Sequence, residues 1–163
     1  MNYGFESALQ DWTAEAWMVV TLAITVAFTA FVFYCRTLQQ TLRAAAPPNQ
    51  RMPPWQAWLL LIPVFNIVFW FIAAARIADT IRAEAESRSF VVHARPTYAV
   101  GVALAITSAL SYLPQLRLVA GLGCVVCWIL HWVQVAEWNG KLSSENGVSA
   151  SERVLFEYAP SRS

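Results

Sequence analysis

The sequence predicts an all-α integral membrane protein, a helical bundle of four hydrophobic segments with the second broken at Pro63–Asn66. Three observations carry that prediction. Of the 163 residues, 58% are hydrophobic and only 13% charged, which is too apolar for an ordinary soluble domain. Four runs, Ala16 to Cys35, Met52 to Ala75, Pro96 to Leu116 and Leu118 to Ala136, hold no Asp, Glu, Lys or Arg. Each supplies the ~20 residues that an α-helix needs to cross hydrocarbon. The second run also carries Pro63 and Asn66 at its centre, between Arg51 and Arg76. A proline there removes a backbone donor and clashes with the carbonyl four residues earlier, and hydrocarbon cannot satisfy an asparagine amide. The expected organisation is an extramembrane stretch over 1–15, a helical membrane domain over 16–142, and a flexible tail over 143–163. Within the domain the segments fall near 16–35, 54–76, 97–115 and 118–137, with an amphipathic extension over 76–88.

The first fifteen residues contain Glu6, Asp11 and Glu15 and no Lys or Arg, which is unlike the basic start of a secretory signal peptide. The first apolar run is therefore expected to remain as an anchor. Trp17 and Tyr34 stand near its ends, as aromatics do at membrane interfaces. Ala23, Ala27 and Ala30 share one face, where a neighbouring helix can approach. Helical spacing continues through Leu38, Leu42 and Ala45, with Arg36, Gln39, Gln40 and Arg43 opposite, until Pro47 and Pro48 stop it. The linker PPNQRMPP follows.

Beyond the broken segment, Arg76 to Arg88 reads as a charged helix at the membrane surface, with Ile77 and Ile81 one turn apart. Arg76 with Asp79, Arg82 with Glu86, and Glu84 with Arg88 are spaced to pair, each for ~0.2–0.5 kcal/mol. Pro96 is expected at the first position of the third segment. Gly101, Ala105 and Ala109 recur there at four-residue spacing, a small-residue face suited to helix packing. The short link PQLR then makes the third and fourth segments a tight antiparallel hairpin.

Orientation follows from where the eleven Lys and Arg residues fall. Four full crossings place four cations on one side and seven on the other, whichever way the chain faces. If the broken segment instead enters from the cytoplasmic side, turns at Pro63–Asn66 and returns, ten cations are cytoplasmic and Arg117 alone is outside. Composition leaves the re-entrant hairpin and the kinked span both open.

Candidate chemistry is sparse. Pro63 and Asn66 have the makings of a pore or ligand point, because broken helices expose half-helix ends at mid-membrane. A kink whose asparagine bonds a neighbour is the commoner reason for such a pattern. Arg76, Asp79 and Arg82 are placed for contact with lipid headgroups or a partner, or simply to anchor the helix at its depth. Cys124, Cys127 and His131 share a helix face, so a metal or redox site there is conceivable, but no further His or Cys lies near enough in sequence to complete a tetrahedral set. Three cysteines, two of them within one apolar run, imply no disulfide framework. No phosphate loop, nucleophile elbow, paired-carboxylate site or nucleic-acid motif is present, and no cofactor is expected.

The strings CRTLQQTL (35–42), PPNQRMPP, WLLLIPVFNIVFWFI (58–72), RIADTIRAE (76–84), RPTY (95–98) and GLGCVVCWILHWVQVAEW (121–138), taken in that order, resemble an uncharacterised family of small bacterial multi-pass membrane proteins. The resemblance covers about residues 35–142. It implies a protein of the bacterial inner membrane and no particular activity. It also implies an aromatic residue where His131 stands and no cysteine at 124, which argues against a metal site. The expectation is a non-enzymatic scaffold or accessory subunit in the lipid bilayer, associating through its helices as a homo-oligomer or with another membrane protein. The alternatives are an oligomeric channel or transporter element at Pro63–Asn66 and, third, a redox or metal site at Cys124, Cys127 and His131.

Overall fold

The computed structural model describes residues 14–92 and 95–157 of the chain. Among these residues four α-helices form, α1 (Ala14–Ala44), α2 (Pro63–Ser87), α3 (Tyr98–Leu110) and α4 (Arg117–Glu157), with 3-10 helices at Pro47–Asn49 and Pro54–Leu61. No strand occurs among the described residues. Two helical stretches are long and apolar enough to cross a membrane, Glu15–Ala44 and Arg117–Ser144. The other two of the four expected segments take different forms.

The chain divides into two compact units at Tyr34 and Cys35. In the first, α1 is apolar around its whole circumference and exposed, with Trp17, Met18, Leu22, Ile24 and Phe28 all at 46% or more. Its polar groups are satisfied locally. The Thr25 hydroxyl donates to the Thr21 carbonyl and that of Thr29 to the Thr25 carbonyl, each at 2.8 Å. Such back-bonding hides hydroxyls from an apolar solvent.

The second unit starts with the last turns of α1. Cys35, Leu38 and Leu42 are fully buried, while Arg36, Gln40 and Arg43 face out, which is the periodicity the sequence carries. Helix α1 ends before Pro47, with Arg43 in its last turn opposite the negative end of the helix dipole.

The second segment is a hairpin whose two arms are both helical. Pro53 and Pro54 open an eight-residue 3-10 helix, Pro54–Leu61, long for that geometry. Ile62 is extended, at φ −86° and ψ 108°, as the residue before a proline should be. Its N–H closes the 3-10 arm on the Leu59 carbonyl at 3.1 Å, and its own carbonyl accepts from Asn66 N–H at 2.9 Å to start α2. The break therefore lies at Ile62–Pro63, and Asn66 sits inside the first turn of α2. Ala57 and Leu60 of one arm and Phe69, Trp70, Ala73 and Ala74 of the other are buried.

The outer ends of the two arms are fastened together. Arg51 N–H donates to Thr80 Oγ1 at 3.0 Å, and Arg76 Nη1 donates to the Arg51 carbonyl at 2.8 Å. The segment thus returns to the end from which it departs. The two arms therefore fold back on each other on either side of the break.

Helix α3 begins at Tyr98 rather than at Pro96, after Thr97 in the left-handed region at φ 66°. It is only 13 residues long, ~20 Å, and gives way at Ser111 to a run of turns ending at Leu116. It packs antiparallel to both α2 and α4. A Cβ on Gly101 would lie 2.8 Å from Ala74 Cβ of α2 and 3.0 Å from His131 Nε2 of α4, so only glycine admits this approach. Gly101 and Ala105 of the expected small-residue face are buried.

Helix α4 runs on as helix to Glu157, where the polar composition beyond Leu142 suggests a loose tail. Trp132 Nε1 donates to Thr37 Oγ1 at 3.1 Å, so α4 lies against the end of α1. The expected stretch 1–15 lies almost wholly outside the described residues, as do 158–163.

Candidate functional site

The strongest polar construction among the described residues is a junction around Glu84 and Arg88 at the wide end of the hairpin. It exists because of where the two residues fall on α2. Ile77 and Ile81 form the buried stripe of that helix, and Glu84, Ala85 and Arg88 continue the same stripe by helical spacing. Charged groups are thereby carried into the interior, where each needs partners.

Every partner is supplied. Glu84, its side chain 3% exposed, accepts from Ala46 N–H at 2.9 Å and Asn49 Nδ2 at 2.8 Å through Oε2. Its Oε1 accepts from Arg88 Nε at 2.8 Å and lies 2.6 Å from Arg88 Nη2. Arg88 Nη1 donates to the Leu142 carbonyl at 2.8 Å and Nη2 to the Ala44 carbonyl at 3.1 Å. One ion pair thus ties together the end of α1, the first 3-10 helix, α2 and α4. Burial pushes the Glu84 carboxyl up, but the donors from Asn49, Ala46 and Arg88 outweigh it and hold the group below its ordinary value.

Helix α2 ends on this junction with a left-handed Ser89, φ 61°. Ser89 N–H donates to the Glu86 carbonyl at 3.1 Å and Phe90 N–H to the Ala85 carbonyl at 2.9 Å, a Schellman closure usually built on glycine.

Arg76, Asp79 and Arg82 belong to the outer rim of the same end. Arg82 pairs with Glu86 at 2.7 Å as the spacing suggests. The expected pair of Arg76 and Asp79 does not form. Arg76 goes to the Arg51 carbonyl and Asp79 to Arg95 at 2.9 Å. An arginine N-terminal to its acid at i, i+3 opposes the helix dipole, and the folded linkers bring better partners to each group.

Asn66 lies near the hairpin tip with Oδ1 buried and no hydrogen-bond partner among the described residues. The Pro63 side chain lies outside the described ones.

Cys124, Cys127 and His131 share one side of α4, yet each has a different setting. His131 is buried under Gly101. Cys124 is half-buried beside Thr107 and Ser108 of α3, and Cys127 is a half-buried free thiol. Among the described residues no three His, Cys, Asp or Glu side chains come together to hold a metal ion. The spacing argument places three ligand types on a face; it does not bring a fourth element with a ligand of its own.

Sequence reasoning misses Glu84 as the centre of the junction. The missed signal is the overlap of an i, i+4 ion pair with the Ile77–Ile81 stripe, which marks the pair as buried. Ala46 and Asn49, thirty-odd residues away, leave no local trace. No family model, no curated protein and no solved structure matches the chain.

Proposed function

We propose that this chain is an integral protein of the bacterial inner membrane that works as a non-enzymatic scaffold or accessory subunit, associating through its helices. One observation carries the reading: in the 30-residue apolar stretch Glu15–Ala44, only 11% of the most hydrophobic window is buried by the chain itself. Lipid or a partner's helices are the solvents that suit such a surface.

In this arrangement α1, α3 and α4 cross. The hairpin of Pro54–Leu61 and α2 enters and leaves on the cytoplasmic side. Arg36, Arg43, Arg51 and the cations of α2 then gather with Arg95 and Lys141 at the cytoplasmic end, and Arg117 stands at the other. That distribution obeys the positive-inside bias. The resemblance to small bacterial multi-pass proteins points the same way. The interior around Glu84 and Arg88 is tied by hydrogen bonds to three other elements, which suits a scaffold.

Topology reporters fused after Arg51 and after Arg88 are expected to report the same cytoplasmic side, and one fused at Leu116 the opposite side. Purification in mild detergent, with crosslinking, is then expected to give an assembly larger than one chain. Opposite sides for the first two fusions, or a strictly monomeric chain without partners, would refute the scaffold reading.

The unpartnered Asn66 Oδ1 near the hairpin tip favours a second reading, an oligomeric channel or transporter element built on Pro63–Asn66. Ion flux in liposomes that is lost in Asn66→Leu would establish that reading in place of the first.

A further inference from the structure

At the opposite end of the second unit from the Glu84–Arg88 junction, the turn between α3 and α4 frames an open cavity of about 620 Å³. Ser111, Tyr112, Pro114, Arg117 and Gly121 line it. Its size falls within the ~300–1,000 Å³ typical of small-molecule sites. Gly121 forms part of the wall, and a Cβ added there would meet nothing within 4 Å, so the space above it is free.

The charge in this cavity is one-sided. Arg117 opens α4, whose first turn holds no acid, and it forms no ion pair with any described residue. A cation at a helix N-terminus is disfavoured by the dipole. The Arg117 guanidinium and the Tyr112 hydroxyl both belong to residues that line this one volume, and no carboxylate among the lining residues answers them. Ser111 Oγ already donates to the Ser108 carbonyl at 2.7 Å, which leaves its lone pairs to accept. A planar five-donor guanidinium beside a phenol suits the oxygens of a phosphate, and a wall hydroxyl that accepts suits a neighbouring alcohol.

We propose that the Arg117–Tyr112–Gly121 cavity binds a phosphate group, carried either by an anionic phospholipid or by a small soluble phosphate. The lipid source rests on the membrane reading given above; the soluble source does not.

Native mass spectrometry of the full chain in detergent tests this with phosphatidylglycerol in one arm and inorganic phosphate in the other. The wild type is expected to retain one phosphate-bearing ligand in at least one arm. Arg117→Gln is expected to weaken that retention at least tenfold. So is Gly121→Leu, whose Cβ meets nothing within 4 Å and whose side chain extends into the cavity, and circular dichroism checks that both variants keep their helix content. Arg43→Gln, at the other end of the molecule, should bind like wild type. Retention of the lipid alone identifies a headgroup site; retention of phosphate in both arms identifies a soluble-anion site. If the wild type retains neither ligand, or both variants retain them like wild type, the proposal is overturned. A chain that proves water-soluble would end the membrane reading while the phosphate arm still reads the cavity.

Discussion

The two halves of α1 differ in a way that inverts the usual relation between hydrophobicity and burial. From Trp17 to Phe33 the helix is almost wholly apolar, and its large side chains are exposed. From Cys35 to Ala44 it carries Arg36, Gln39, Gln40 and Arg43, and it is this more polar half that packs, through Cys35, Leu38, Thr41 and Leu42. In water the opposite would be expected, because apolar area removed from water is the main favourable term in folding. The membrane setting proposed above accounts for the difference by giving the two halves different surroundings. The packed half is held by specific bonds to the Glu84–Arg88 junction and Trp132. The exposed half has its threonines bonded inward and suits an apolar medium.

Breaking the packed side should have the largest effect. Glu84→Ala leaves Arg88 buried without its carboxylate, and it should lower stability by roughly 3–5 kcal/mol, read from denaturant unfolding in detergent. The double variant with Arg88→Ala should recover part of that loss, because it removes the uncompensated charge. On the exposed side, Val26→Arg should reduce membrane integration by ~2.5–3.5 kcal/mol if that surface meets lipid. In water a surface change of this kind stays within about 0.5 kcal/mol, so insertion assayed by protease protection separates the two.

Gly101→Leu and Gly121→Leu form a matched pair within the second unit. The first forces a Cβ against Ala74 and His131 and should cost ~1–3 kcal/mol, while the second projects into open space and should leave the unfolding midpoint unchanged. Acid offers a milder probe of the junction. Despite its burial, the donors from Asn49, Ala46 and Arg88 hold the Glu84 carboxyl below its ordinary value in the folded state, so its contribution to stability is fully present above the ordinary carboxylate range and is lost as the pH falls through the folded-state pKa. Glu84→Gln should abolish this acid-dependent slope. The smallest expected effect is at Ser89: replacing a left-handed serine by glycine relieves backbone strain and should raise stability by ~0.5–1 kcal/mol, seen as a small rise in Tm.

Much of the fold is legible in the sequence because its causes are local. Pro47 ends α1, Pro63 starts α2, and the Leu38–Leu42–Ala45 stripe turns inward as its period dictates. The break at Pro63 is also visible, but its consequence is not. That the two arms fold back on each other depends on Arg51 meeting Thr80 and Arg76, contacts made across more than twenty residues. For the same reason the pair of Arg76 and Asp79 misleads: short-range spacing shows which charges can meet, while the linkers supply Arg51 and Arg95 as better partners. Beyond Leu142 the composition is polar, yet helix α4 continues, because Ser, Ala, Glu and Arg are compatible with a helix already nucleated upstream. At the candidate sites, the face shared by Cys124, Cys127 and His131 is legible and their separate environments are not. Glu84 looks like one more surface acid until its register with Ile77 and Ile81 is noticed.

The most direct test of lipid as the medium around Trp17 to Phe33 is extraction of membranes with alkaline carbonate, which strips peripheral proteins and leaves integral ones. The account predicts that the whole chain stays in the membrane pellet and is released only by detergent. Recovery in the carbonate supernatant as a folded, detergent-free monomer would contradict it.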